Sequence, residues 1–279
     1  MKLDMGKAWS DATGLIGSNF GLLTTIVGLF YFLPSFAITL LVPEVANPAP
    51  PPAPGGSDPE AAFKAMMETL QEQYATGWPY FLATTLAAYV GSVAVLALFA
   101  ERGNPTVGDA LKAGFRGAPI YLATQLIFGL AIGLVGGLLV TGAVLISPFL
   151  GILVGIIVLV AAVYASIKLI LIPAIIGIEG DLNPISVMKR SWALTKGNSL
   201  LIFVFLFVLL IVVGLVSLVV TLVFTTVLAA FGEPVASIGA GFVSSLSSAI
   251  VGGLFLCVVA AIHRQLAPGA SKVDIETFD

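Results

Sequence analysis

Histidine and cysteine occur once each in these 279 residues, and charged side chains make up only 10% of the chain. A lone thiol, Cys257, forms no intrachain disulfide, and its depth in an apolar run makes it a packing residue. The one histidine, His263, stands beside Arg264 at the end of that run, as a residue of the membrane interface would. The sequence contains no HExxH or CxxC pair, no GxxxxGK[ST] phosphate cradle and no GxSxG elbow. No catalytic residue, metal ligand or cofactor is therefore assigned. The few basic residues form neither a concentrated stripe nor an aromatic platform, which excludes nucleic acid as a partner.

What the chain has in abundance is apolar length. Hydrophobic residues make up 58% and mean hydropathy is +1.09, outside the range of a soluble domain that keeps a wet surface. Six runs, about Phe20–Val42, Trp78–Ala100, Ile120–Ile146, Phe149–Gly177, Leu200–Ala230 and Val235–Ile262, each supply the roughly 20 residues a helix needs to cross the hydrocarbon. Leu201 to Phe224 shows none of the alternation of a β-barrel strand. The fold class read from the sequence is an all-α integral membrane protein, a six-span helical bundle forming one polytopic domain over residues 1–279. The first run begins near residue 20 and lacks a small-residue cleavage site after it, so it reads as a retained anchor.

Basic residues set the sidedness. Lys2, Lys7, Arg102, Lys112, Arg116, Lys189, Arg190, Lys196, Arg264 and Lys272 fall on the side of the N-terminus, Lys64 alone on the other, and Lys168 inside a span. This asymmetry places both termini in the cytoplasm. Outside, residues 43–77 form a Pro-rich connection followed by an amphipathic stretch. Asp58 and Pro59 there open a short helix to Ala75 that lies along the surface, before Trp78 and Tyr80 mark the start of the second span.

Three inner-face segments share one design. They begin at Leu3, Asn104 and Asn183, and each gives about three amphipathic turns, then a bend at Gly17–Asn19, Gly117–Pro119 or Gly197–Asn198, then a span. Asn104 and Asn183 are placed to cap helices opened by Pro105 and Pro184. The reading is three repeats of an interfacial elbow helix plus a transmembrane hairpin; three unrelated connectors are the competing one.

The third elbow carries a resemblance. Glu179, Asn183, Pro184, Lys189, Ser191, Trp192, Leu194, Thr195, Lys196, Gly197 and Asn198, within Glu179 to Phe203, resemble the membrane domain of some bacterial glycerophosphoryl diester phosphodiesterases and of related YciC-type inner-membrane proteins. Lys168 and Pro173, in the span leading into the motif, fit the same pattern. The resemblance implies a bacterial inner-membrane bundle. The phosphodiesterase barrel fused to some relatives needs about 250 residues of its own, so no separate catalytic domain is expected.

Lys168 is the leading ligand-binding candidate, with Tyr164 one turn before it and Lys189 and Arg190 at the inner face. Nine residues before Gly177, it sits about 13 Å from the inner boundary in a continuous helix, where a cation must snorkel, meet water or find an acceptor. Gly129, Gly133 and Gly137, with Gly151 and Gly155, read as close helix crossings. Gly239, Gly241, Ser244, Ser245, Ser247 and Ser248 soften the sixth span and offer the lining of an outward-facing cavity. The first functional reading is a noncatalytic module that binds, organises or helps move a phosphate-bearing lipid or other amphipathic ligand, with anionic membrane lipids as partners. A scaffold or assembly factor with a membrane-protein partner comes second, and a small-molecule transporter or channel third.

The topology has a direct test. With Cys257 replaced, single cysteines at Ala53 and Ala270 in spheroplasts should respond oppositely to an impermeant thiol reagent, position 53 labelling and position 270 staying protected. Labelling of both from outside would overturn the arrangement.

Overall fold

The computed structural model describes residues 2–46, 59–100 and 106–267. Its elements are α1 (Met5–Val27), α2 (Leu33–Leu41), α3 (Pro43–Ala46), α4 (Pro59–Leu98), α5 (Val107–Leu130), α6 (Gly137–Ile146), α7 (Pro148–Lys168), α8 (Ile172–Ala174), α9 (Pro184–Leu194), α10 (Ser199–Ala229) and α11 (Val235–Leu266). Single π-turns at Gly28–Phe32 and Ala131–Gly136 join α1 to α2 and α5 to α6, and a third, Ile175–Glu179, follows α8. Among the described residues there is no strand, and six helical runs are long and apolar enough to cross a membrane. The molecule is an all-α, six-span membrane bundle.

The elbows differ from one another. In the first, Asp4 caps α1 by accepting from the Lys7 amide at 2.9 Å, and Asn19 leaves helical geometry (φ −125°, ψ 21°) where the bend was expected. In the third, Asn183 Oδ1 accepts from the Ile185 and Ser186 amides at 3.0 and 3.2 Å, Pro184 opens α9, and Gly197 (φ +82°) turns the chain into α10. The second elbow departs from the sequence reading. Asn104 and Pro105 lie outside the described residues; the cap of α5 is Thr106, in a reciprocal box with Asp109. No bend occurs at Gly117–Pro119, because α5 runs unbroken through Pro119. Its small buried residues press against α4: a side chain at Gly114 would meet the Val90 carbonyl at 2.6 Å, and one at Gly117 would meet Val93 at 2.7 Å. Packing against a neighbouring helix holds this segment straight.

Two further expectations are corrected. The surface helix ending at Ala75 and the second span are one helix, α4, continuous through Gly77 and Pro79. The Pro-rich connection falls at 47–58, outside the described residues. The fourth span, read as one helix to Gly177, stops at Lys168. From there Ile170 and Ile172 make short i to i−3 bonds to Ile167 and Leu169 before the chain resumes at α8. Pro173 has no amide to continue the ladder.

Burial is concentrated at the end of the bundle that holds the N-terminus and the third elbow. Val93 to Phe99 at the end of α4, Leu171 to Ile176, and Leu256 to His263 of α11 are all buried, as are Ala8, Ala12 and Leu15 of α1, the helix that packs on α11. In the most apolar stretch of each span, 56% of residues are buried in the sixth but only 6% in the fourth, which makes α11 the axis and leaves α7 facing outward. Glycine positions follow the same division. A Cβ at Gly129, Gly133, Gly137 or Gly155 would meet nothing within 4 Å, so that row is not a close crossing. Gly151 does approach closely, since a Cβ there would stand 3.2 Å from the Val144 Cα of α6, and other close approaches include Gly91, Gly114, Gly117 and Gly177.

At Gly177 an added Cβ would stand 2.9 Å from the Val93 carbonyl and 3.1 Å from the Ala97 amide, which are backbone atoms that cannot rotate away. Gly177→Ala should therefore destabilise the bundle by about 1–3 kcal/mol, whereas Gly129→Ala, pointing into open space, should leave stability unchanged or raised. Thermal melts in neutral detergent compare the two, and equal melting would refute this packing.

Candidate functional site

The break after Lys168 assembles the first cluster. With the Ile172 amide bonded to Leu169 instead, the Lys168 carbonyl is free and accepts from the Ser191 and Thr195 hydroxyls of the third elbow at 2.8 and 3.3 Å. Ser191 and Thr195, four apart, share the inward face of α9 and its cap. This docking brings Trp192 alongside α7. Its ring meets Tyr164 edge-on (centroids 6.1 Å apart, 87°), and Lys168 Nζ lies 5.5 Å from the Tyr164 centroid and 5.6 Å from that of Trp192. The lysine is 3% exposed while the two rings are 49% and 45% exposed. Lys168 makes no ion pair among the described residues. Cation–π attraction offsets part of the cost of removing the ammonium from water.

The other basic candidates do not join it. Lys189 and Lys196 are exposed, and Arg190 pairs with Glu179, Nε to Oε2 3.2 Å. Glu179 also receives Nε2 of His263 at 2.8 Å. His263 is 2% exposed, which corrects its reading as an interfacial residue: it is buried where α11 passes the end of the fourth span. A carboxylate partner requires the proton on Nε2, leaving Nδ1 with no hydrogen-bond partner. Arg264 caps the end of α4 through the Phe99 carbonyl at 3.1 Å, and buried Asn198 accepts from the Leu3 amide at 2.9 Å. Among the described residues no group of three or more His, Cys, Asp or Glu is placed to hold a metal ion.

The second cluster is a cavity of about 840 Å³ to which all six spans contribute. Among its lining residues Tyr31 and Ser92 are hydrogen-bonded at 2.6 Å, and the ring centroids of Tyr89 and Tyr121 lie 4.4 Å apart, with Gln125 also in the wall. Ser217 of α10 and Ser247 and Ser248 of α11 also line it, and leucines and Val213 of α10 complete an aliphatic wall. Of the small residues expected to line a cavity in the sixth span, Ser247 and Ser248 do so. Ser245 instead bonds Ser35 at 3.2 Å, and Gly239 borders a smaller, wholly apolar cavity of about 510 Å³ with Phe36 and Phe242. The tyrosines and Gln125 were missed by sequence reasoning. Their signal was polar side chains within three otherwise apolar spans, which calls for a satisfied or functional environment.

Glu179 serves two donors from different elements, so its loss should be felt at both. Glu179→Ala should lower stability by about 2 kcal/mol through the unpaired groups left behind, and Glu179→Gln, which keeps one acceptor, should lose less. Chemical-denaturant or thermal unfolding in detergent reads the difference; a wild-type melt for Glu179→Ala would show that the network contributes nothing.

No curated protein and no solved structure matches the chain. Residues 107–266, more than half of its length and including both Lys168 and the third elbow, match the family described as Domain of unknown function (DUF7847). The chain belongs to this family.

Proposed function

We propose that the protein is a noncatalytic module of the bacterial cytoplasmic membrane that binds, organises or helps move a phosphate-bearing lipid at its inner face. The observation that carries this reading is the state of Lys168. Its ammonium is held between two outward-facing aromatic rings, with no anionic partner among the described residues. A lipid phosphate supplies the missing countercharge, and Tyr164 and Trp192 are the residue types that settle at headgroup depth. Exposed Lys189 and Lys196 nearby add attraction for an anionic leaflet. The resemblance of the third elbow to the membrane domain of some glycerophosphoryl diester phosphodiesterases is in keeping with such a ligand.

Native lipid co-purification with mass identification tests the reading on wild type, Lys168→Ala and Lys168→Arg under matched extraction. The wild type should retain one phosphate-bearing class several-fold over bulk, Lys168→Arg should keep much of it, and Lys168→Ala should lose it while melting as a folded bundle. Equal recovery of all bulk lipids by all three proteins would reject it. A defined protein partner retained with no lipid would favour the scaffold instead.

A further inference from the structure

The cavity between the spans differs chemically from the Lys168 cradle. None of its lining residues is Asp, Glu, Lys, Arg or His. Lys168 follows the cavity liner Ser166 by two residues, yet its ammonium lies over Tyr164 and Trp192, neither of which lines the cavity. A phosphate inside would lose its hydration and find no cation, the least favourable arrangement for a buried charge.

The hydroxyl inventory points to a guest of another kind. Ser92 Oγ donates to the Ala88 carbonyl at 2.7 Å, so Tyr31 is the donor in the 2.6 Å Tyr31–Ser92 bond and its own oxygen remains open as an acceptor. The hydroxyls of Tyr121, Ser217, Ser247 and Ser248 have no hydrogen-bond partner among the described residues. A hydroxyl facing an apolar space is satisfied only by a guest or by water. Apart from Ser217 and Gly214, the lining from α10 is aliphatic: Leu206, Leu209, Leu210 and Val213. Gly214 there leaves room, since an added Cβ would meet nothing within 4 Å. The volume of about 840 Å³ falls within the range of small-molecule pockets.

We infer that this cavity is a binding site for an uncharged lipid whose head presents hydroxyl or ester carbonyl oxygens to Tyr121 and the α10 and α11 serines, while its tails lie along the α10 wall. A diacylglycerol is the simplest such molecule. The inference uses the membrane setting but not the Lys168 reading, because the two sites share no side chain.

The test compares two probes that differ only in phosphate. A diazirine-tailed diacylglycerol and the phosphatidic acid of the same chains are photo-crosslinked to the full chain in phosphatidylcholine nanodiscs, and labelled peptides are mapped by mass spectrometry. The diacylglycerol should label peptides of α5, α10 and α11 at the cavity, at least ten-fold more than the phosphatidic acid does. Unlabelled dioctanoylglycerol should compete. Gly214→Leu, whose Cβ would meet nothing within 4 Å and whose side chain would occupy the space, should remove this labelling, and the near-isosteric Tyr121→Phe should reduce it several-fold. Lys168→Ala should leave it unchanged, whatever that substitution does to retained phospholipid. Cavity labelling by phosphatidic acid equal to that by diacylglycerol would overturn the inference while leaving the Lys168 reading intact. It would also be overturned by labelling indifferent to Gly214→Leu, by loss of cavity labelling in Lys168→Ala, or by no labelling from either probe, which would mean a cavity filled by water.

Discussion

A single backbone carbonyl, that of Lys168, organises the end of this molecule that holds the N-terminus and the third elbow. Hydrocarbon tolerates a helix end only where other groups take up the freed hydrogen bonds. Here two hydroxyls of the third elbow do so, Ser191 at 2.8 Å and Thr195 at 3.3 Å. With that carbonyl satisfied, the fourth span can stop. Leu171 to Ile176 turn into the core, and Glu179 reaches both Arg190 and buried His263. The same docking places Trp192 over the Lys168 ammonium.

Several other long-range polar contacts reinforce that end of the bundle. Asn198 ties the N-terminus to the turn after α9, Gln265 and Asp4 exchange backbone and side-chain bonds, and Arg264 closes α4. Away from this polar floor, helix contact gives way to exposed apolar surface along α6, α7 and α10. Separating the spans there would break few polar contacts, whereas separating them at the tied end would break many.

Two chemical environments result. The cradle at Lys168 joins a cation to aromatic rings at the periphery, and the cavity joins neutral hydroxyls to aliphatic walls within. Separation keeps a fixed charge out of the cavity, whose polar groups are neutral hydroxyls and an amide, and leaves the cation at Lys168.

The amino-acid sequence by itself determined the six apolar spans, the all-α class and the local turns. These depend on composition and near neighbours: Asn183 and Pro184 start a helix, and Gly197 supplies the positive φ that ends the elbow. It also singled out Lys168, because a cation in an apolar run is costly wherever the chain goes. Gly117–Pro119 reads locally as a bend, yet packing against α4 keeps it helical; Gly129, Gly133 and Gly137 read as a contact face, yet no neighbour lies there. Tertiary structure alone decided the partners. Tyr31 meets Ser92 across 61 positions, Glu179 meets His263 across 84, and Leu3 meets Asn198 across 195. Such pairings depend on which helix faces converge in three dimensions, and hydropathy carries no record of azimuth when a span is apolar on every side.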